Sequence, residues 1–348
     1  MLNSKKRNKK IIIRIALFTG TAISLWFVPW ILVKAWILPL PDTVQEQVDQ
    51  AISHGLDGMI VYVDEAGKQP EFYTGGWHNR EHKIPAKPNA LFKIASISKL
   101  YVAVSISKLV NDNRLSLDKT LADYFPELLG RIENADRITL KMMVQHRSGI
   151  PNFTDSGGYW ENPPDSAEES LALVLDTPAL FEPGEDYSYS NTNYLLLGLL
   201  IDNTVGYNHH QYIKEQILVP LELNNTFFSL SEVDIEDVMS GYYVGYEPDL
   251  KEKEFGMLAT AEDVGIFLRA LNDGSIFKER ERKIYSEIYE YEHSGWVPGY
   301  QSFTEYHNNI DTVVILFNNT TDEDLLLWNL SEIMINRVVR IVEENRAK

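Results

Sequence analysis

Cysteine is absent from all 348 residues. Its absence excludes disulfides, thiolate metal sites, cysteine nucleophiles and lipid attachment through an N-terminal Cys, so any covalent chemistry must use oxygen or nitrogen nucleophiles. Acidic residues are missing from the first 40 positions, which contain Lys5, Lys6, Arg7, Lys9, Lys10, Arg14 and Lys34. Beyond them the balance reverses to 25 basic against 50 acidic residues. A body that acidic repels phosphate backbones, and no basic stripe with interleaved aromatics follows the N-terminus, which excludes nucleic acid as a partner. Neither an internal repeat at solenoid period nor a metal-ligand spacing is found, and no cofactor is expected.

What is present begins with an uncharged stretch from Ile15 to Val33, 19 residues long. As one helix it spans roughly 28 Å, the thickness of a bilayer core. The basic residues ahead of it predict a cytoplasmic leader over 1–10, a single-pass transmembrane anchor over 11–39, and an extracytoplasmic domain over 40–348. Trp26, Trp30 and Trp36 suit an interfacial belt. The competing reading, a cleaved signal peptide, fits less well, because the run is long and Lys34-Ala35-Trp36 is a poor small-x-small site.

Within 40–348, periodicity predicts a helix over 44–54 and strands over 59–63 and 71–76. From about 100 to 270 the pattern is helical, for example over 100–109, 140–145, 168–175, 193–202 and 210–218. Strands return over 300–306 and 312–317, and an amphipathic helix covers 324–344. The flanking strands must pair across the insertion if they form one sheet, which gives an α/β domain interrupted by an all-α domain, with the cleft between them as the natural site.

The segment Phe92-Lys93-Ile94-Ala95-Ser96-Ile97-Ser98-Lys99 lies where a loop enters a helix. Residues three apart share a helix face, so Lys99 can aim its amine at the Ser96 hydroxyl, and a desolvated neutral Lys can take its proton. The backbone N–H of Ser96, near a helix N-terminus, favours an oxyanion. Ser105-Ile106-Ser107-Lys108 repeats the spacing on the opposite helix face, but mid-helix, where no free N–H groups remain; a surface or packing role is expected for Ser105. Further along stand Gln145-His146-Arg147-Ser148-Gly149-Ile150-Pro151, Phe181-Glu182-Pro183-Gly184, Tyr187-Ser188-Tyr189-Ser190-Asn191, Gly256-Met257-Leu258-Ala259-Thr260 and His293-Ser294-Gly295-Trp296-Val297-Pro298-Gly299-Tyr300.

In this order the motifs resemble the serine β-lactamase and penicillin-binding-protein superfamily, in its class C-like branch of D-Ala-D-Ala carboxypeptidases, D-aminopeptidases and esterases. The resemblance covers about 44–344. It implies an antiparallel sheet flanked by helices, acylation of Ser96 with Lys99 as base, proton shuttling by Tyr189 and binding of the substrate amide by Asn191. It puts His293-Ser294-Gly295 at the family's Lys-Thr-Gly strand and makes the N–H groups of Ser96 and Trp296 the oxyanion donors. Tyr187 competes with Tyr189 and is separated from it only by the Tyr-x-Asn register. His146 is expected in a scaffold turn, His209 and His210 at the start of a surface helix, and Tyr159, Trp160 and Trp296 are candidate pocket walls. The departure is His293: a mostly neutral His holds a carboxylate less well than a Lys. That tilts the expectation towards a tethered esterase, amidase or peptidase acting on cell-envelope peptides or D-alanylated polymers. The alternatives are a class C-like β-lactamase and a catalytically weak muropeptide sensor.

Overall fold

A computed structural model describes residues 2–346, with side chains from residue 13 onward. Its strands are β1 (Gly58–Glu65), β2 (Glu71–Asn79), β3 (Ile84–Pro85), β4 (Phe92–Lys93), β5 (Thr226–Phe227), β6 (Tyr242–Tyr243), β7 (Leu258–Ala259), β8 (Ser294–Val297), β9 (Tyr300–His307), β10 (Thr312–Asn318) and β11 (Thr320–Thr321). Its helices are α1 (Leu2–Trp26), α2 (Trp30–Ile37), α3 (Val44–Ser53), α4 (Ser98–Asn111), α5 (Leu121–Tyr124), α6 (Leu140–Val144), α7 (Ala167–Ala172), α8 (Asn191–Val205), α9 (His209–Ile213), α10 (Ala261–Asp273), α11 (Glu279–Ile288) and α12 (Leu326–Arg346).

The main sheet has the order β3-β2-β1-β10-β9-β8 and is antiparallel throughout. Its central pair joins the two ends of the domain, from Met59 opposite Asn318 to Glu65 opposite Thr312. Strand β1 reads as an unbroken apolar run because both faces are covered. Met59, Val61 and Val63 pack with Val48 of α3 and Leu330 and Met334 of α12, whereas Ile60 and Tyr62 face the larger core built by α4, α8 and α10. Local signals set the helix starts. Thr43 and Glu46 form a reciprocal capping box on α3, and the Thr260 hydroxyl accepts the Asp263 N–H at the start of α10.

The pairing across the insertion is as expected, but the insertion itself is not all helical. Strand β4, just before Ser96, pairs with β7, which also pairs with β5. Two-residue strands have no periodicity to read and exist only through this tertiary pairing.

The N-terminus departs further from expectation. The apolar run is not one helix: the chain breaks at residues 27–29 and α2 leaves α1 at 79°. Pro29 at the break has no N–H to give and disfavours continuation. Among the described residues no single helix is long and apolar enough to cross a membrane, and the bent pair Ile13–Trp26 with Trp30–Ile37 is the candidate span. The side chains of Lys5 to Lys10 lie outside the described residues. Helix α2 buries Ala35 against α12, and Arg337 of α12 donates to the carbonyls of Leu38 (2.9 Å) and Pro39 (2.8 Å). Trp30, Trp36 and Ile37 face outward.

Candidate active site

From β4 the chain passes through the 3₁₀ turn Ala95–Ile97 directly into α4. Ala95 has φ +50°, a left-handed conformation that costs a residue with a Cβ on the order of 1–3 kcal/mol and that persists only where the surroundings enforce it. Strand β8 and its neighbour β9 do so. Ser302 donates to the Ile94 carbonyl (3.0 Å), and a Cβ at Gly295 would collide with that carbonyl and with Ser302 Oγ. Gly295 therefore admits the chain's own nucleophile turn against the edge strand.

Ser96 is the meeting point. Tyr189 Oη lies 2.6 Å from Ser96 Oγ and donates to it, and Lys99 Nζ lies 3.1 Å away. Lys99 Nζ also donates to Asn191 Oδ1 at 2.8 Å. Sequence reasoning missed the residues that hold Asn191 in this orientation: its amide nitrogen donates to Thr154 Oγ1 (3.1 Å), and Asn152 Oδ1 accepts its backbone N–H (3.0 Å). They lie just past the Gln145–Pro151 motif, in a turn whose polar residues look like ordinary loop residues.

Burial sets the protonation states. With no carboxylate to offset it, desolvation pushes Lys99 down to about 7, so that the neutral amine is well populated at physiological pH. Burial pushes Tyr189 up to about 12 despite the hydrogen bond to Ser96, so the phenol keeps its proton. Tyr189 is thus a donor and Lys99 an acceptor. Burial, then the nearby Lys99, lowers His293 to about 4 and His146 to about 3; neither is a cation at neutral pH. His146 accepts the Ser190 N–H at Nδ1 (3.1 Å) and stacks on Tyr189 at 4.5 Å, so it braces the tyrosine.

The remaining residues sort clearly. Ser105 is fully buried and donates to the Tyr101 carbonyl, and its companion Lys108 pairs with Glu281 at 3.2 Å, outside the site. Tyr187 stands exposed at the rim. Helix α9 starts at His209 as expected, and within it His210 is half-buried and stacked on Phe228 at 4.4 Å. A cleft of about 770 Å³ opens over Ser96; His293, Ser294 and Trp296 line it. Trp160 meets Trp296 (5.8 Å), Tyr159 (5.1 Å) and Phe255 (6.1 Å) edge-on, forming one aromatic wall to which sequence reasoning did not assign Phe255. Among the described residues no group of three or more His, Asp or Glu is placed to hold a metal ion.

Comparison with known proteins gives a consistent picture. The family model described as Beta-lactamase matches residues 40–287. Protein flp of Staphylococcus aureus (strain MW2) is 28% identical over 228 residues, 64% of this chain and 46% of flp. Penicillin-binding protein 4* of Bacillus subtilis (strain 168) is 26% identical over 58% of this chain and 44% of its own. The chain thus spans about half the length of the curated relatives it matches. Among solved structures, the D-amino acid amidase of Ochrobactrum anthropi SV3, complexed with L-phenylalanine amide, superposes with a TM-score of 0.77 at 23% identity, covering 87% of this chain and 98% of the amidase. A penicillin-binding protein from Bacillus halodurans gives 0.70 at 19% identity, over 84% and 98%. These two likenesses concern the fold alone.

Proposed function

The chain belongs to the β-lactamase family, within the serine β-lactamase and penicillin-binding-protein superfamily, and from that premise we propose that it is a membrane-anchored serine hydrolase that cleaves D-alanyl amide or ester bonds of the cell envelope through an acyl-enzyme at Ser96. The observation that carries this reading is the convergence of Lys99 and Tyr189 on Ser96 Oγ, at 3.1 and 2.6 Å, on the floor of an open cleft. In acylation, neutral Lys99 takes the Ser96 proton as Oγ attacks the carbonyl carbon. Asn191 Oδ1 holds one amine hydrogen, which leaves the nitrogen lone pair to face Oγ. Tyr189 then gives its proton to the departing nitrogen or oxygen and regains one from Lys99. In deacylation the same groups work in reverse on water.

The charge around the cleft supports a substrate with a free ammonium group over one with a terminal carboxylate. The charged or titratable residues along it are Lys99, His293, Glu254 and Glu290, together with its tyrosines. Lys99 and His293 are not lasting cations at neutral pH. Glu254 turns away to accept the Leu230 N–H (3.1 Å), while Glu290 stands exposed at the mouth, 3.9 Å from His293. D-alanyl esters and D-amino acid amides carry such an ammonium; a D-Ala-D-Ala terminus carries the carboxylate. The expected result is turnover of D-alanyl ester and D-alaninamide, with slower turnover of their N-acetylated forms. Glu290→Gln should weaken the preference for the free amine by about twofold to fivefold, the scale of an exposed, salt-screened charge. Rapid nitrocefin turnover with no activity on D-alanyl compounds would replace this reading with a β-lactamase.

Anchoring is proposed on the bent apolar pair and on the outward-facing Trp30, Trp36 and Ile37, side chains suited to a headgroup layer. The full chain should stay with membranes through high-salt and carbonate washes and enter solution only with detergent. Release by salt alone would reduce the attachment to a peripheral one.

A further inference from the structure

Lys93 is completely buried, three residues before the nucleophile. Its amine is not part of the cleft lining and sits in a cage of main-chain oxygens: Leu250 (2.7 Å), Lys251 (2.8 Å) and Lys253 (2.5 Å). The faces of Tyr300 and Phe255 complete the cage, with ring centres 4.8 and 5.0 Å from Nζ. Three acceptors match the three N–H donors of an ammonium group. Burial pushes Lys93 down to about 7, while Glu254 and Asp249 favour its charge. A buried amine spent on carbonyls is an expensive way to fill space that a Met or Leu would fill without desolvation.

What the cage secures is a segment with little order of its own. Residues 244–257 run between β6 and β7 without helix or strand. Apart from Lys93, their ties to the body include Leu250 N–H to the Gly241 carbonyl and Asp249 Oδ1 to the Gly241 N–H. Near its end stands Phe255, which closes the aromatic wall of Trp160 and Trp296. Ring contacts gather most of the cleft's aromatics into two groups: this wall, and the set of Tyr187, Tyr189, Tyr194 and His293, in which His146 behind the cleft links the three tyrosines and Tyr189 meets His293. Tyr189 is the donor to the leaving group, so the leaving group lies on its side and the Phe255 wall faces the acyl side chain.

We propose that Lys93 is a positioning residue for acyl-group selectivity: by clamping the carbonyls of Leu250, Lys251 and Lys253 from the strand that delivers Ser96, it holds Phe255 at a fixed distance from the nucleophile. The inference rests on the acyl-enzyme reading of Ser96. It makes the size of the acyl pocket a property of the same strand that sets the nucleophile, so the two cannot drift apart.

The test compares p-nitrophenyl acetate with p-nitrophenyl phenylacetate, which share a leaving group and differ in acyl bulk, on the full chain in detergent. In Lys93→Met the KM for the phenylacetate is expected to rise about tenfold, with its kcat and the acetate's kcat/KM within about threefold of wild type. Lys93→Gln, which keeps two N–H donors, should fall between. If Lys93→Met does not fold, Lys93→Gln alone decides. A ratio of kcat/KM between the esters unchanged in a folded variant, or an equal loss on both through kcat, overturns the proposal. A wild-type protein inert towards both esters overturns the acyl-enzyme reading itself, and this inference with it.

Discussion

Ser96→Ala is expected to abolish covalent capture of a fluorescent penicillin or a fluorophosphonate and to lower ester turnover by at least about 10⁴-fold, because Ser96 carries the hydroxyl on which Lys99 and Tyr189 both converge. The decoy serines cannot rescue it: Ser105 and Ser107 are buried and donate to their own helix carbonyls. The fold should survive, since Lys99 keeps Asn191 as a partner and the loss is one hydroxyl. Intact-mass spectrometry reads the adduct and thermal melting reads the fold. An adduct that persists in the variant would move the nucleophile elsewhere and sink the assignment.

The second large effect is a pH profile. At pH 7 a lysine near 7 is about half neutral, whereas a phenol near 12 is ionised to only about one part in 10⁵. That difference makes Lys99 the base and leaves Tyr189 as the acid. The rate of acylation should therefore rise with pH, falling about tenfold for each unit below 7 and levelling above 8, with no further climb towards 12. Lys99→Met should remove the inflection near 7 and cost on the order of 10²–10⁴ in rate. A profile in wild type that keeps climbing to pH 11 would give the base role to the tyrosinate. Stability should move with the same group. The folded-state pKa of Lys99 is depressed, so the unfolded chain binds the extra proton between about 10.5 and 7, and the native state loses stability as pH falls through that window.

How much of this was legible differs by element, for physical reasons. Ser96 and Lys99 were readable because a spacing of three puts them on one face of a helix turn, whereas Tyr189 and Asn191 were placed by the family resemblance through its Tyr-x-Asn register. That the flanking strands pair across the insertion was readable from their order along the chain, but the particular pairing of β1 with β10 was not, because alternation and apolarity do not name a partner. Asn152 and Thr154 were not, because a polar side chain in a loop looks the same whether it braces a catalytic amide or faces water. Lys93 was quoted within a motif but drew no role, since its partners are carbonyls about 160 residues away. The break in the N-terminal helix did have a signal, Pro29, which counting apolar residues passes over.

The central strand pair has one more consequence, which concerns the birth of the chain. Because β1 pairs with β2 on one edge but finds the partner for its other edge in β10, about 250 residues later, the sheet cannot close until nearly the whole polypeptide has been made. At about 5–20 residues per second, β1 waits on the order of 12–50 s with an apolar flank uncovered. Such long-range closure predicts slow folding. It also makes the chain a natural client of holding chaperones and leaves no stable fragment that ends before residue 318.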